Sequence, residues 1–120
     1  MKRDFEKGNE VLDLSFKFAC KIVQLSRDLQ SIKEYNIANQ VLRSGTSIGA
    51  NIKKAQFPES RKDFYHKMKI AAKEASETEF WIDLIIKTEL VPISQEIQDE
   101  IKSIIYLLIR ILESTKRGMN

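Results

Sequence analysis

Cysteine and histidine are almost missing: the 120-residue chain has one of each, Cys20 and His66. One cysteine excludes an internal disulfide framework, and one histidine excludes a His-rich metal site. Glycine and proline are scarce, at four and two residues. That leaves little material for turns and disfavours an all-β sandwich or barrel. Long apolar runs are lacking as well. The longest, Ile104 to Ile109, has six residues, against the roughly 20 a bilayer-spanning helix needs. The start, Met1-Lys2-Arg3-Asp4-Phe5-Glu6-Lys7, has no apolar core behind its basic residues, so it does not read as a secretory signal. The expectation is a cytoplasmic protein in a reducing compartment, with no membrane partner.

Hydrophobic residues make up 42% of the chain, enough for a core and against global disorder. The length suits one domain, residues 1–120. The 20 Lys and Arg residues exceed the 17 Asp and Glu, for a net charge of +3.

Four segments repeat apolar residues at helical spacing. The first runs from about Asn9 to Leu29, with Val11, Leu14, Phe18, Ile22, Leu25 and Leu29 on one stripe. The second runs from about Asn36 to Gln56, with Asn36 as N-cap. Its stripe is small or apolar: Ala38, Val41, Leu42, Gly45, Ile48, Gly49, Ile52 and Ala55. The third starts near Ser60, which caps the amide of Asp63, while Asp63 reaches back as in a capping box. It carries Phe64, Met68, Ala71, Ala75, Ile82, Ile85 and Leu90, and Pro92 stops it. Ser94 caps the fourth, whose core face is Ile97, Ile101, Ile104, Leu108, Ile111 and Leu112. The loops 30–35, 57–59 and 91–93 are short. Short loops make successive helices antiparallel neighbours, so the expected fold is all-α, an antiparallel up-down four-helix bundle.

The fourth segment has more apolar surface than one core needs. Tyr106, Leu107 and Ile109 lie off its stripe. Either they widen the core face or they form an oligomer interface, and the surplus favours the interface. Trp81 lies on a different face from Phe64 and Met68. It reads either as an anchor between helices or subunits or as a core residue.

Gly45 and Gly49 share the apolar face of the second helix, where each costs roughly 1 kcal/mol of propensity. Close approach of a facing helix is the compensating gain, and no strand precedes Gly45 as a phosphate loop requires. Ser44, Ser47 and Asn51 form a polar row beside the glycines, with Glu74 and Glu77 on the third helix as partners. The row reads as a structural polar seam, with a polar ligand site as the alternative. Glu74, Glu77 and His66 lack the Glu-x-x-His pairs of di-iron bundles, so neither a metal nor any other cofactor is expected. Cys20 reads as a buried packing thiol.

Charge is uneven. Residues 36–62 hold five cations, Arg43, Lys53, Lys54, Arg61 and Lys62, against the single anion Glu59. This cluster around the joint of helices two and three is the candidate nucleic-acid-binding surface; its bland reading is a solvated face.

The stretch Val41-Leu42-Arg43-Ser44-Gly45-Thr46-Ser47-Ile48-Gly49-Ala50-Asn51-Ile52, with Ala55-Gln56, resembles the signature of the four helix bundle protein family. That family was first noticed as reading frames in intervening sequences of bacterial large-subunit ribosomal RNA. Asp63-Phe64, Lys67-Met68, Ile70-Ala71 and Lys73-Glu74-Ala75-Ser76-Glu77-Thr78, with Trp81, resemble its third helix. The resemblance implies similarity to the accessory variability protein of diversity-generating retroelements, a homopentamer that binds nucleic acid and a reverse transcriptase. It implies no enzymatic activity. Where the family usually has an acidic residue soon after the Asn-Ile pair, this chain has Lys53-Lys54.

The sequence thus leads to a non-enzymatic bundle that forms a homo-oligomer, a pentamer by resemblance, and binds RNA or DNA through a basic surface. The alternative is a protein–protein adaptor or scaffold with no nucleic-acid role.

Overall fold

The computed structural model describes residues 4–119. Met1–Arg3 and Asn120, which the single-domain reading and the reading of the start include, lie outside the described residues. The chain forms α1 (Asp4–Ser31), α2 (Tyr35–Ala55), α3 (Arg61–Lys87) and α4 (Gln95–Gly118), with no strand among the described residues. α1 and α3 each pack on both α2 and α4, and neither diagonal pair meets. This is the antiparallel up-down four-helix bundle that the short loops dictate. It is a rod of 49 × 23 × 20 Å.

The stripes form the core. Phe18, Ile22 and Leu29 of α1, Ile48 and Ile52 of α2, Met68, Ile82 and Ile85 of α3, and Ile101, Ile104, Leu108 and Ile111 of α4 are almost fully buried. Leu14, Leu90 and Leu112, expected on the stripes, are half-buried at the core's margin.

The caps of α3 and α4 follow the sequence. Ser60 Oγ accepts from the Asp63 amide at 3.0 Å, and Ser94 Oγ from the Ile97 amide at 3.2 Å. Asp63 Oδ2 does reach back, but to the amide of Glu59, one residue before the cap. The other boundaries differ. α2 begins one residue before Asn36, and its cap position is Glu34, which makes no side-chain cap bond. The Ala38 amide bonds to the Glu34 carbonyl instead.

α3 ends at Lys87, well before Pro92. Its stop is a backbone motif. The amides of Glu89 and Leu90 turn back to the carbonyls of Ile86 and Ile85, with Glu89 at φ 55°. α1 ends in the same way. The amides of Lys33 and Glu34 bond to Gln30 and Leu29, with Lys33 at φ 66°. Both are left-handed closures that usually fall on glycine, which is why the sequence did not announce them.

Candidate nucleic-acid interface

Antiparallel packing brings the C-terminus of α2, the N-terminus of α3 and the C-terminus of α4 to one end of the rod. Lys53 and Lys54 lie in the last turn of α2, and Lys116 and Arg117 in the last turn of α4. Arg61 and Lys62 open α3, and all six side chains are exposed. The junction is close: a Cβ at Gly118 would collide with the Arg61 guanidinium. The sequence grouped four of these cations around one joint. Lys116 and Arg117 join them only through the fold, since more than 50 residues separate them from Lys62 along the chain.

Helix electrostatics treats these cations differently. A helix C-terminus carries partial negative charge, so Lys53, Lys54, Lys116 and Arg117 complement their own helices. Arg61 and Lys62 sit at the positive end of α3, where a cation is disfavoured. Asp63 offsets part of this. Its carboxyl is held below the usual aspartate range, first by the Lys67 ammonium at 2.8 Å and then by the Glu59 amide. The Ser60 cap therefore occupies the Asp63 amide at this helix start, and the Asp63 carboxylate takes the Glu59 amide just before it.

Arg43 does not belong to this surface. It stands ten residues before Lys53, about 15 Å along the helix axis at 1.5 Å per residue. Its guanidinium is engaged by carboxylates of α3. Nη1 donates to Glu74 Oε2 at 3.0 Å and Nη2 to Glu77 Oε2. The Trp81 indole donates to the same Glu77 oxygen at 3.0 Å. Glu77 consequently titrates below the usual glutamate range, held first by the Trp81 N–H and then by Arg43.

The expected polar seam is redistributed by these contacts. Glu74 and Glu77 meet Arg43, not Ser44, Ser47 or Asn51. Ser47 donates to the Arg43 carbonyl at 2.6 Å, and Asn51 to the Ser47 carbonyl at 2.8 Å, both within their own helix. Of the three, Ser44 alone reaches across, and its partner is the buried Thr78 hydroxyl. Thr78 was missed as a partner, although it is the polar residue on the stripe between Ala75 and Ile82.

The proposed interface residues also divide. Tyr106 and Ile109 are 58% and 48% exposed. Leu107 and Trp81 are half-buried against the core. Trp81 is anchored inside the subunit by Glu77 and by an edge-to-face contact with Phe80, ring centroids 5.1 Å apart. Phe80 is the exposed member of that pair. Tyr106 stacks with Arg110, whose Nη1 donates to the phenol oxygen at 2.8 Å.

The two glycines play different parts. A Cβ on Gly45 would lie 2.7 Å from Ile22 Cγ2, so here α1 and α2 approach as closely as a glycine permits. A Cβ on Gly49 would meet Ser15 at an ordinary 3.6 Å. Gly49 instead helps to floor a surface groove of about 680 Å³ between α1 and α2, with Leu12, Phe16, Ala19 and Ala50. Lys17, Lys53 and Asp13 also line it. Cys20 is exposed, not the buried packing thiol expected. Among the described residues, no group of three or more His, Cys, Asp or Glu side chains could hold a metal. No described helix is long and apolar enough to cross a membrane.

The four-helix bundle defines the class, a small all-α protein. Residues 7–114 match the 23S rRNA-intervening sequence protein family, and the chain belongs to that family. It is similar to a solved structure from Bacteroides thetaiotaomicron VPI-5482, a protein of unknown function from the S23 ribosomal protein family. The two are 45% identical with a TM-score of 0.80, over 89% of this chain and 98% of that one. Neither description names a reaction. No curated protein matches the chain with significance.

Proposed function

We propose that this protein is a non-enzymatic, self-associating accessory factor whose basic rod end binds the phosphate backbone of nucleic acid. The observation that carries the reading is the convergence of Lys53, Lys54, Arg61, Lys62, Lys116 and Arg117 on one end. Lys62 weighs most. It stands against the dipole of its own helix, so the helix dipole does not account for it. Backbone charge, not base-edge readout, is the recognition that such a surface supplies.

Two uncovered apolar patches support the self-association in this reading. Tyr106 and Ile109 on α4 and Phe16 beside the α1–α2 groove leave two unlike apolar patches uncovered. A cyclic assembly needs two unlike patches per subunit. A ring whose axis ran along the rods, such as the pentamer that the resemblance implies, would collect every basic end on one rim. Phosphate contacts would then add through counterion release.

Light scattering of the purified protein, with and without single-stranded RNA, tests both parts. The expected result is a mass several times the 13.9 kDa of the chain, rising further with RNA. A monomer at micromolar concentration would contradict the assembly. An assembly that ignores RNA at low salt would instead favour an adaptor that offers Phe16, Phe80, Tyr106 and Ile109 to a protein partner.

A further inference from the structure

We infer that the nucleic acid taken at the basic end is single-stranded, and that Phe57 stacks on one of its bases. The inference rests on the preceding reading of that end as a phosphate-binding surface and adds the class of ligand. Phe57 is the most exposed large hydrophobic residue described, at 81%, ahead of Phe16 at 68% and Phe80 at 59%. It occupies the turn between α2 and α3. Lys53 and Lys54 precede it by four and three residues, and Arg61 and Lys62 follow by four and five. An aromatic ring standing among cations has the two components of a single-strand site: charges that track the backbone and a face for a base.

The turn suits that task. The Phe57 amide bonds to the Lys54 carbonyl at 3.3 Å. Pro58 disfavours a helical backbone at Phe57 and fixes its own φ, which restricts the joint that carries the ring. Phe80 has Trp81 against it, whereas Phe57 has no ring contact among the described residues. Within a duplex the base faces are already stacked on one another. A duplex therefore offers this end its phosphates alone, while a single strand offers phosphates and an open base face.

A lone phenylalanine among lysines also has the chemistry of an anchor for an anionic membrane. Such anchors use a broad apolar face. Here Met119 is the one other exposed large hydrophobic at this end among residues 9–119. The balance therefore favours a polyanion with bases over a lipid surface.

The test uses the whole protein at low salt and three probes. These are a fluorescein-labelled single-stranded oligonucleotide, its duplex with the complement, and phosphatidylserine vesicles. Phe57→Ala should weaken single-strand binding roughly 5- to 100-fold, the span that loss of one aromatic–base stack produces. Duplex binding should not change. Phe57→Trp should keep single-strand affinity, with indole fluorescence quenched by the single strand and not by the duplex. Equal losses on single strand and duplex would overturn the stacking role. So would salt-sensitive binding of both that Phe57→Ala leaves intact, although the basic-surface reading would then stand. Vesicle binding that depends on Phe57, with oligonucleotide binding indifferent to it, would replace the inference with a lipid surface. No binding of either nucleic acid would remove the basic-surface reading and this inference with it.

Discussion

The hydroxyls of Ser44 on α2 and Thr78 on α3 meet at 2.9 Å inside the bundle, both fully buried. Each also lies near a carbonyl of its own helix, Val41 at 3.5 Å and Glu74 at 2.8 Å. The pair therefore joins two helices at a point where an apolar contact would leave register free to slip.

Removing one partner should cost more than removing both. Thr78→Val leaves the buried Ser44 hydroxyl with only its long 3.5 Å contact to the Val41 carbonyl, at about 1–3 kcal/mol. The double variant Ser44→Ala/Thr78→Val leaves nothing stranded. Urea unfolding of both single variants and the double should show a coupling of about 0.5–3 kcal/mol. Strict additivity would mean that the two hydroxyls do not act as a pair.

Gly45 and Gly49 should respond oppositely to alanine. Gly45→Ala drives a methyl into Ile22, a β-branched side chain with little rotamer freedom on a helix. Overpacking of this kind costs about 1–3 kcal/mol and exceeds the propensity gain. Gly49→Ala meets only van der Waals contact and should stabilise by up to about 1 kcal/mol. Thermal melts of the two variants decide the matter. Equal shifts would show that the α1–α2 approach is no tighter at one than at the other.

Glu77 gives the stability a defined pH dependence. Its folded carboxyl titrates below the usual value, so the ion contributes fully above about pH 4.3. The contribution is lost as pH falls through the lowered folded value. Unfolding midpoints at neutral and acid pH should therefore diverge less in Glu77→Gln than in the natural chain. Asp63 shifts in the same direction, so some acid sensitivity should survive the substitution. An unchanged pH profile would show that the Arg43–Glu77–Trp81 cluster adds nothing to stability.

Much of the fold was legible because it is written locally. The stripes of α1 to α4 are periodic, and Ser60 and Ser94 carry their caps on their side chains. The ends of α1 and α3 were not legible. Lys33 and Glu89 take the left-handed conformation without being glycine, so no residue type marks the backbone closures that end these helices. The candidate site was half legible. Lys53, Lys54, Arg61 and Lys62 are neighbours in sequence, and a turn keeps them neighbours in space. Lys116 and Arg117 required the topology. Arg43 was drawn into the wrong group because sequence proximity cannot show which carboxylate a guanidinium will find. Glu77, 34 residues away, is set by the packing of α2 on α3.

The most direct test of the account is fluorescence anisotropy of a labelled single-stranded RNA at two salt concentrations. The natural chain is measured beside Lys53→Glu/Lys54→Glu and Lys116→Glu/Arg117→Glu. All four positions are exposed, so both variants should keep the helical fold. The account predicts dissociation constants of about 10⁻⁴ to 10⁻⁶ M near physiological salt, tightening as salt falls. Each double variant should lose most of the binding, and its log–log salt slope should shrink by about 1.4, or 0.7 per lost phosphate contact. Binding that is absent at low salt, or that survives both double variants unchanged, would contradict the account.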